Sequence, residues 1–125
     1  MTSVSVVCCD DSEQKYSRIV EVQMDTDAIS QRTIRTEEQT VDANAERELH
    51  NAAHDSEHGP VTYLQQVHSG GFSVSVGPPD SLTESWFPGG SFVAFMDDDG
   101  PGHRSKVGPE RVQRTLHVLR GHLDL

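Results

Sequence analysis

Apolar and polar residues alternate, or form short apolar runs, in five stretches of the chain, and this pattern predicts five β-strands. The last of them is apolar on both faces at strand length, so we expect it to be the central strand of a sheet. Short connections predict that the first and second strands form one hairpin and that the third and fourth form another. The five predicted strands span residues 2–9, 16–24, 61–68, 72–76 and 91–96.

Two further segments have apolar residues at helical spacing. The first opens with a capping-box pattern from Thr36 to Gln39 and ends at Gly59-Pro60, and the second begins at Pro109 and ends near Gly121. The predicted order is therefore ββαβββα: an α+β fold with a largely antiparallel sheet of about five strands and two helices packed on it, in a single domain over residues 1–125. The predicted apolar stripes are Val41, Ala45, Leu49, Ala52 and Ala53 in the first helix, and Val112, Leu116, Leu119 and Leu123 in the second.

The chain is strongly acidic, with 20 acidic and 10 basic residues and a formal net charge of −10. Residues 1–62 hold 13 acids and 5 bases, and residues 63–125 hold 7 acids and 5 bases. This balance disfavours direct binding of nucleic acid or of an anionic membrane, and no apolar run has the roughly 20 residues that a membrane helix needs. We therefore expect a cytoplasmic protein whose partner is a basic protein. The candidate contacts are acidic residues of the first predicted helix: Glu37, Glu38, Asp42, Glu46, Glu48, Asp55 and Glu57.

Catalytic motifs are absent from the sequence. Cys8 and Cys9 are adjacent and have no second pair, so they indicate neither a disulfide framework nor a zinc site. There is no Gly-x-Ser-x-Gly elbow, no Walker loop and no dinucleotide fingerprint. The acidic run Asp97-Asp98-Asp99 lacks the remainder of a calcium loop and is read as a turn that ends a strand. The sequence therefore predicts no catalytic residue, no cofactor and no enzyme activity.

Three histidines provide the alternative to that prediction. His50, His54 and His58 are spaced i, i+4, i+8, which places them on one face of the first predicted helix, and imidazoles at this spacing can chelate a transition metal. That face lies opposite the apolar stripe and is therefore expected to point to solvent. A metal-dependent enzyme that uses these histidines is the second alternative hypothesis.

The layout from Thr40 to Leu119 resembles the Imm1 group of bacterial immunity proteins. The resemblance lies in residues 41–49 as an early helix, residues 61–64 and 72–76 as successive strands, and residues 107–116 as a closing helix. It implies a non-catalytic acidic protein that neutralises a basic protein partner, and this is the leading hypothesis. The first alternative is a structural or assembly component of a phage or archaeal virus particle. In that case the protein would be located in the virion and could form a homo-oligomer.

Overall fold

A computed structural model describes residues 1–55 and 57–125. Its secondary structure is almost entirely β, with one seven-residue helix. The predicted α+β fold with two helices on a five-stranded sheet is therefore wrong. The elements are β1 (Thr2–Cys9), β2 (Ser17–Met24), α1 (Thr26–Arg32), β3 (Thr33–Val41), β4 (Glu46–His50), β5 (Val61–Ser69), β6 (Gly71–Val76), β7 (Thr83–Pro88), β8 (Phe92–Phe95), β9 (His103–Val107) and β10 (Val112–Arg120).

The strands form a six-stranded sheet in the order β2-β1-β8-β5-β10-β3 and a four-stranded sheet in the order β4-β9-β6-β7. Neighbouring strands are antiparallel except β1 and β8, which are parallel. The predicted hairpin of β1 and β2 is confirmed, and so is the interior position of β8. The second predicted hairpin is wrong, because β5 and β6 belong to different sheets. The turn at Gly70 carries the chain from one sheet to the other.

The two sheets pack face to face around one apolar core. Alternate residues of each strand point to the same face, so every inward position meets the opposite sheet. The six-stranded sheet contributes Val7, Val93 and Phe95, and the four-stranded sheet contributes Val74 and Val107. This arrangement is a β-sandwich, and its two inner faces enclose the site described below.

A second apolar cluster covers part of the outer face of the six-stranded sheet. Val4, Val6 and Leu64 pack there with Ile29 of α1 and with Leu123 near the C-terminus. Asp25 caps α1 by accepting a hydrogen bond from the backbone N–H of Asp27. Strands β1, β5, β8 and β10 are consequently buried on both faces over much of their length.

Both segments that were predicted as helices are strands. Residues 36–53 contain the end of β3, a turn with Asn44 at a positive φ of 62°, and β4, while residues 109–121 contain β10. Residue 56, near the end of the first predicted helix, lies outside the described residues. The two segments that the immunity-protein resemblance assigned to helices therefore consist of strands and turns, with no helix in either. Within residues 1–55 and 57–125, no helix is long and apolar enough to cross a membrane.

Candidate functional site

A cavity of about 330 Å³ opens between the two sheets and is the candidate site of this protein. Strands β3, β5, β8 and β10 line it from the six-stranded sheet, and β4, β6 and β9 line it from the four-stranded sheet. Its volume lies in the range of small-molecule sites. Phe72, Phe95, Val107 and Leu116 form apolar parts of the wall, which leaves a limited number of polar groups to determine what the cavity can bind.

The period of two along each strand points several polar side chains at this cavity. His103 and Ser105 lie two positions apart on β9 and share one face of that strand. Tyr63 and Gln65 do the same on β5. Arg114 reaches the cavity from β10. The wall of the cavity therefore combines side chains of the apolar core with a few polar groups.

Arg114 is held in place by two neighbours. Its Nε donates a hydrogen bond of 3.0 Å to Oε1 of Gln39, and its guanidinium carbon lies 5.7 Å from the centre of the Phe72 ring, a cation–π contact. Burial lowers the pKa of Arg114, and the nearby positive charge of Arg47 lowers it further. Arg47 also lines the cavity, so two like charges lie together there.

Neither guanidinium has an acidic partner in the described part of the chain. The arginine ion pairs in that part involve Arg35 and Arg104, which bind Glu37, Asp55 and Glu48. Arg114 is half-buried and Arg47 is exposed, so an anion entering the cavity would chiefly offset the cost of the partly desolvated charge on Arg114. Among the described residues, two arginines and no acidic residue line the cavity, in a protein whose net charge is −10.

A buried hydrogen-bond network lies behind one residue of the wall, His103. Asp97 is fully buried, and its Oδ2 accepts hydrogen bonds of 2.6 Å from Ser17 Oγ and 2.7 Å from His103 Nδ1. Because a carboxylate can only accept, Nδ1 of His103 carries the hydrogen and Nε2 keeps a free electron pair in the neutral ring. The sequence places Asp97 and His103 on either side of the Gly100-Pro101-Gly102 segment.

His50 stands beside His103. The two residues are paired across β4 and β9, and their ring centres are 4.4 Å apart. Nδ1 of His50 donates to the backbone oxygen of Glu48 at 2.8 Å, which again leaves Nε2 as the free acceptor. Burial lowers the pKa of His50, which favours its neutral ring.

Two buried oxygen atoms have no hydrogen-bond partner among the described residues: Oε1 of Gln65 and Oδ1 of Asp97. Gln65 is only 8% exposed and lines the cavity. A buried acceptor without a donor costs about 1–3 kcal/mol, so such an atom calls for an explanation. Oε1 of Gln65 is itself closed to solvent, so a donor on a molecule in the cavity could reach it only after the side chain rotates.

The three histidines proposed as metal ligands have separate surroundings. His50 is in the cavity wall, His54 contacts Asp98 and His58 contacts Asp55. The helix that was expected to align them does not exist, because His50 ends β4 and the other two lie in the following loop. In the described part of the chain, no group of three or more His, Cys, Asp or Glu side chains is arranged to hold a metal ion.

The seven acidic residues proposed for partner binding also lie on different elements from those expected. Glu37 and Glu38 are on β3, Glu46 and Glu48 are on β4, and the other three lie in loops. Several have partners within the protein: Glu46 pairs with Lys106, Glu48 with Arg104, Glu37 and Asp55 with Arg35, and Glu38 accepts a hydrogen bond from Thr115. Their role in binding a basic protein stays a prediction.

Sequence reasoning missed the residues that form the cavity wall. Neither Arg114 nor His103 nor Gln65 was singled out from the sequence. One signal was available: the alternation of His103, Ser105 and Val107 is typical of a strand with one inward face. Nothing in the sequence indicated which strands would stand opposite one another.

Comparison with known proteins shows no family for this chain. No protein family model matches the chain, and no curated protein matches it. The function must therefore be inferred from the cavity itself.

Proposed function

We propose that this protein binds a small, hydroxylated organic anion in the cavity between its two sheets. The observation that carries the proposal is the pair of guanidiniums, Arg114 and Arg47, which line the cavity without an acidic partner in the described part of the chain. Arginine is well suited to carboxylate and phosphate groups because its planar fork can donate two parallel hydrogen bonds.

Further features support a hydroxylated ligand of modest size. The polar side chains of Gln65 and Ser105 line the cavity and suit ligand hydroxyls, and the rings of Phe72 and Phe95 offer apolar contact to a carbon chain. At about 30 Å³ for each water, the 330 Å³ cavity corresponds to roughly eleven waters. This is close to the size of a six-carbon sugar acid.

Titration calorimetry with gluconate, glucose 6-phosphate and glucitol tests the proposal. Gluconate carries a carboxylate, glucose 6-phosphate carries a phosphate, and glucitol has the hydroxyls without a charge. At about 0.3 kcal/mol per ligand atom, we expect a Kd of about 1 mM or tighter for at least one anion and no measurable binding of glucitol. Binding of glucitol as tight as that of both anions would contradict the role of the arginines.

The matched variants are Arg114→Gln, Arg47→Gln and Arg120→Gln. Losing one buried charge-assisted contact should weaken anion binding roughly 30-fold or more in Arg114→Gln. Arg47→Gln should weaken it in the same direction and removes an exposed side chain, so it tests the proposal even if Arg114→Gln does not fold. Arg120 is exposed on the same strand as Arg114 and does not line the cavity, so Arg120→Gln should bind as the wild type does.

A further inference from the structure

The cavity wall holds a residue arrangement that binding alone does not require. His103 is 4% exposed, its Nδ1 donates to the buried carboxylate of Asp97, and no described residue hydrogen-bonds its Nε2. The carboxylate fixes the tautomer and would stabilise the imidazolium that forms when Nε2 takes up a proton. An imidazole that a buried carboxylate orients in this way, with a free Nε2, can act as a general base.

We propose that the cavity is catalytic, with His103 Nε2 as the general base that removes a proton from a carbon atom next to the carbonyl group of a small oxo acid. The inference rests on the proposed function, because the carboxylate of such an acid is the anion that Arg114 and Arg47 would bind. It also departs from the prediction that the chain has no catalytic residue.

The other residues of the cavity favour proton transfer over covalent catalysis. Among the described residues, no cysteine lines the cavity, and the hydroxyl side chains that line it are Ser105 and Tyr63. Tyr63 donates its hydroxyl hydrogen to the backbone oxygen of Ala53, and within the described residues no hydrogen bond joins either hydroxyl to a histidine. A nucleophile activated by an imidazole is therefore not formed there. What the cavity does offer is a base, a second neutral imidazole from His50 and positive charge.

The proposed step is balanced without an added reagent. The C–H bond next to the carbonyl breaks, its proton forms an N–H bond at Nε2 of His103, and the electron pair passes into an enolate whose negative charge rests on the carbonyl oxygen. The imidazolium then returns a proton to carbon. Asp97 acts as a positioning residue, since it holds the ring through Nδ1 and contacts the substrate only by way of His103.

The test is deuterium exchange at carbon, followed by proton NMR in D₂O with 2-oxobutanoate, hydroxypyruvate and 2-oxogluconate as probes. The wild-type protein should accelerate loss of the C–H signal next to the carbonyl in at least one probe. Gluconate, which lacks the carbonyl group, should bind without exchanging. If a probe binds in calorimetry but exchanges no faster than in buffer, the catalytic inference is wrong and the binding function stands. If no oxo acid and no other anion binds, the proposed function itself is wrong.

His103→Asn is the decisive variant. The amide nitrogen of asparagine can replace Nδ1 as the donor to Asp97, but nothing replaces Nε2. We expect this variant to bind the probe within about 3-fold of the wild type and to lose about 100-fold or more of the exchange rate, the usual contribution of a general base. Full exchange activity in a folded His103→Asn protein would overturn the proposal. If this variant does not fold, the wild-type measurement still tests the inference. A probe that binds the wild-type protein without faster deuterium exchange overturns it.

Discussion

Replacing Asp97 with alanine should lower the free energy of unfolding by about 4 kcal/mol, because the change removes the acceptor of a buried network. Asp97 is fully buried, and its Oδ2 binds both Ser17 Oγ and His103 Nδ1. Without the carboxylate, these two donors would remain in the interior without partners, and each would cost about 1–3 kcal/mol. Urea denaturation of the wild type and the variant measures the difference.

Asp99→Ala is the matched control for that prediction. Asp99 is exposed, lies two residues from Asp97, and its carboxylate accepts a hydrogen bond from the backbone N–H of Gly100. Its replacement should cost no more than about 1 kcal/mol. A similarly small loss in Asp97→Ala would mean that the network of Ser17, Asp97 and His103 does not hold the two sheets together.

Replacing Gly102 with alanine should destabilise the protein by roughly 3–5 kcal/mol. Gly102 has a φ of +84°, a conformation that disfavours a side chain, and a Cβ atom there would overlap the backbone carbonyl of His50. The overlapping atoms belong to the backbone, so they cannot move aside as a flexible side chain could. Because this close approach sets His50 next to His103, the variant should also disturb the cavity.

Gly90→Ala separates the two causes of this destabilisation, the positive φ and the overlap of the new Cβ atom with the backbone. Gly90 has a φ of +95°, close to that of Gly102, but a Cβ atom there would meet nothing within 4 Å. Replacing Gly90 with alanine should therefore lower the free energy of unfolding only by the conformational penalty, about 1–2 kcal/mol. Equal losses in Gly90→Ala and Gly102→Ala, measured by the same denaturation experiment, would contradict the close packing of residues 50 and 102.

The strands with one exposed face, or with a short apolar run, were predictable from sequence. β1, β2, β5, β6 and β8 occur within two residues of the predicted bounds, since alternation or apolar content marks them directly. β10 was not recognised, because its apolar residues fall three and four positions apart and Gly108-Pro109 before it imitates a helix start. Val112 and Leu116 face the other sheet while Leu119 packs under α1 and the C-terminal segment. A strand that is apolar on both sides also has apolar residues three and four positions apart, so periodicity alone cannot distinguish it from a helix.

β3 was missed for the opposite reason. It is an edge strand whose residues are mostly exposed, so it has no apolar alternation, and the pattern from Thr36 to Gln39 imitates a helix cap. The cavity could not be predicted, because it depends on which strands stand opposite one another. Arg114 meets Gln39 only because β3 pairs with β10, and His50 meets His103 only because β4 pairs with β9.

The most direct test of the account is to locate the bound anion by two-dimensional NMR of the ¹⁵N-labelled protein, titrated with gluconate and, separately, with glucose 6-phosphate, at least one of which must bind. The account predicts saturable shift changes concentrated on the amides of Arg47, Gln65, Ser105 and Arg114, and no such changes with glucitol. Changes confined to the acidic loop residues on the outside, or the same changes with glucitol, would contradict an anion site between the sheets.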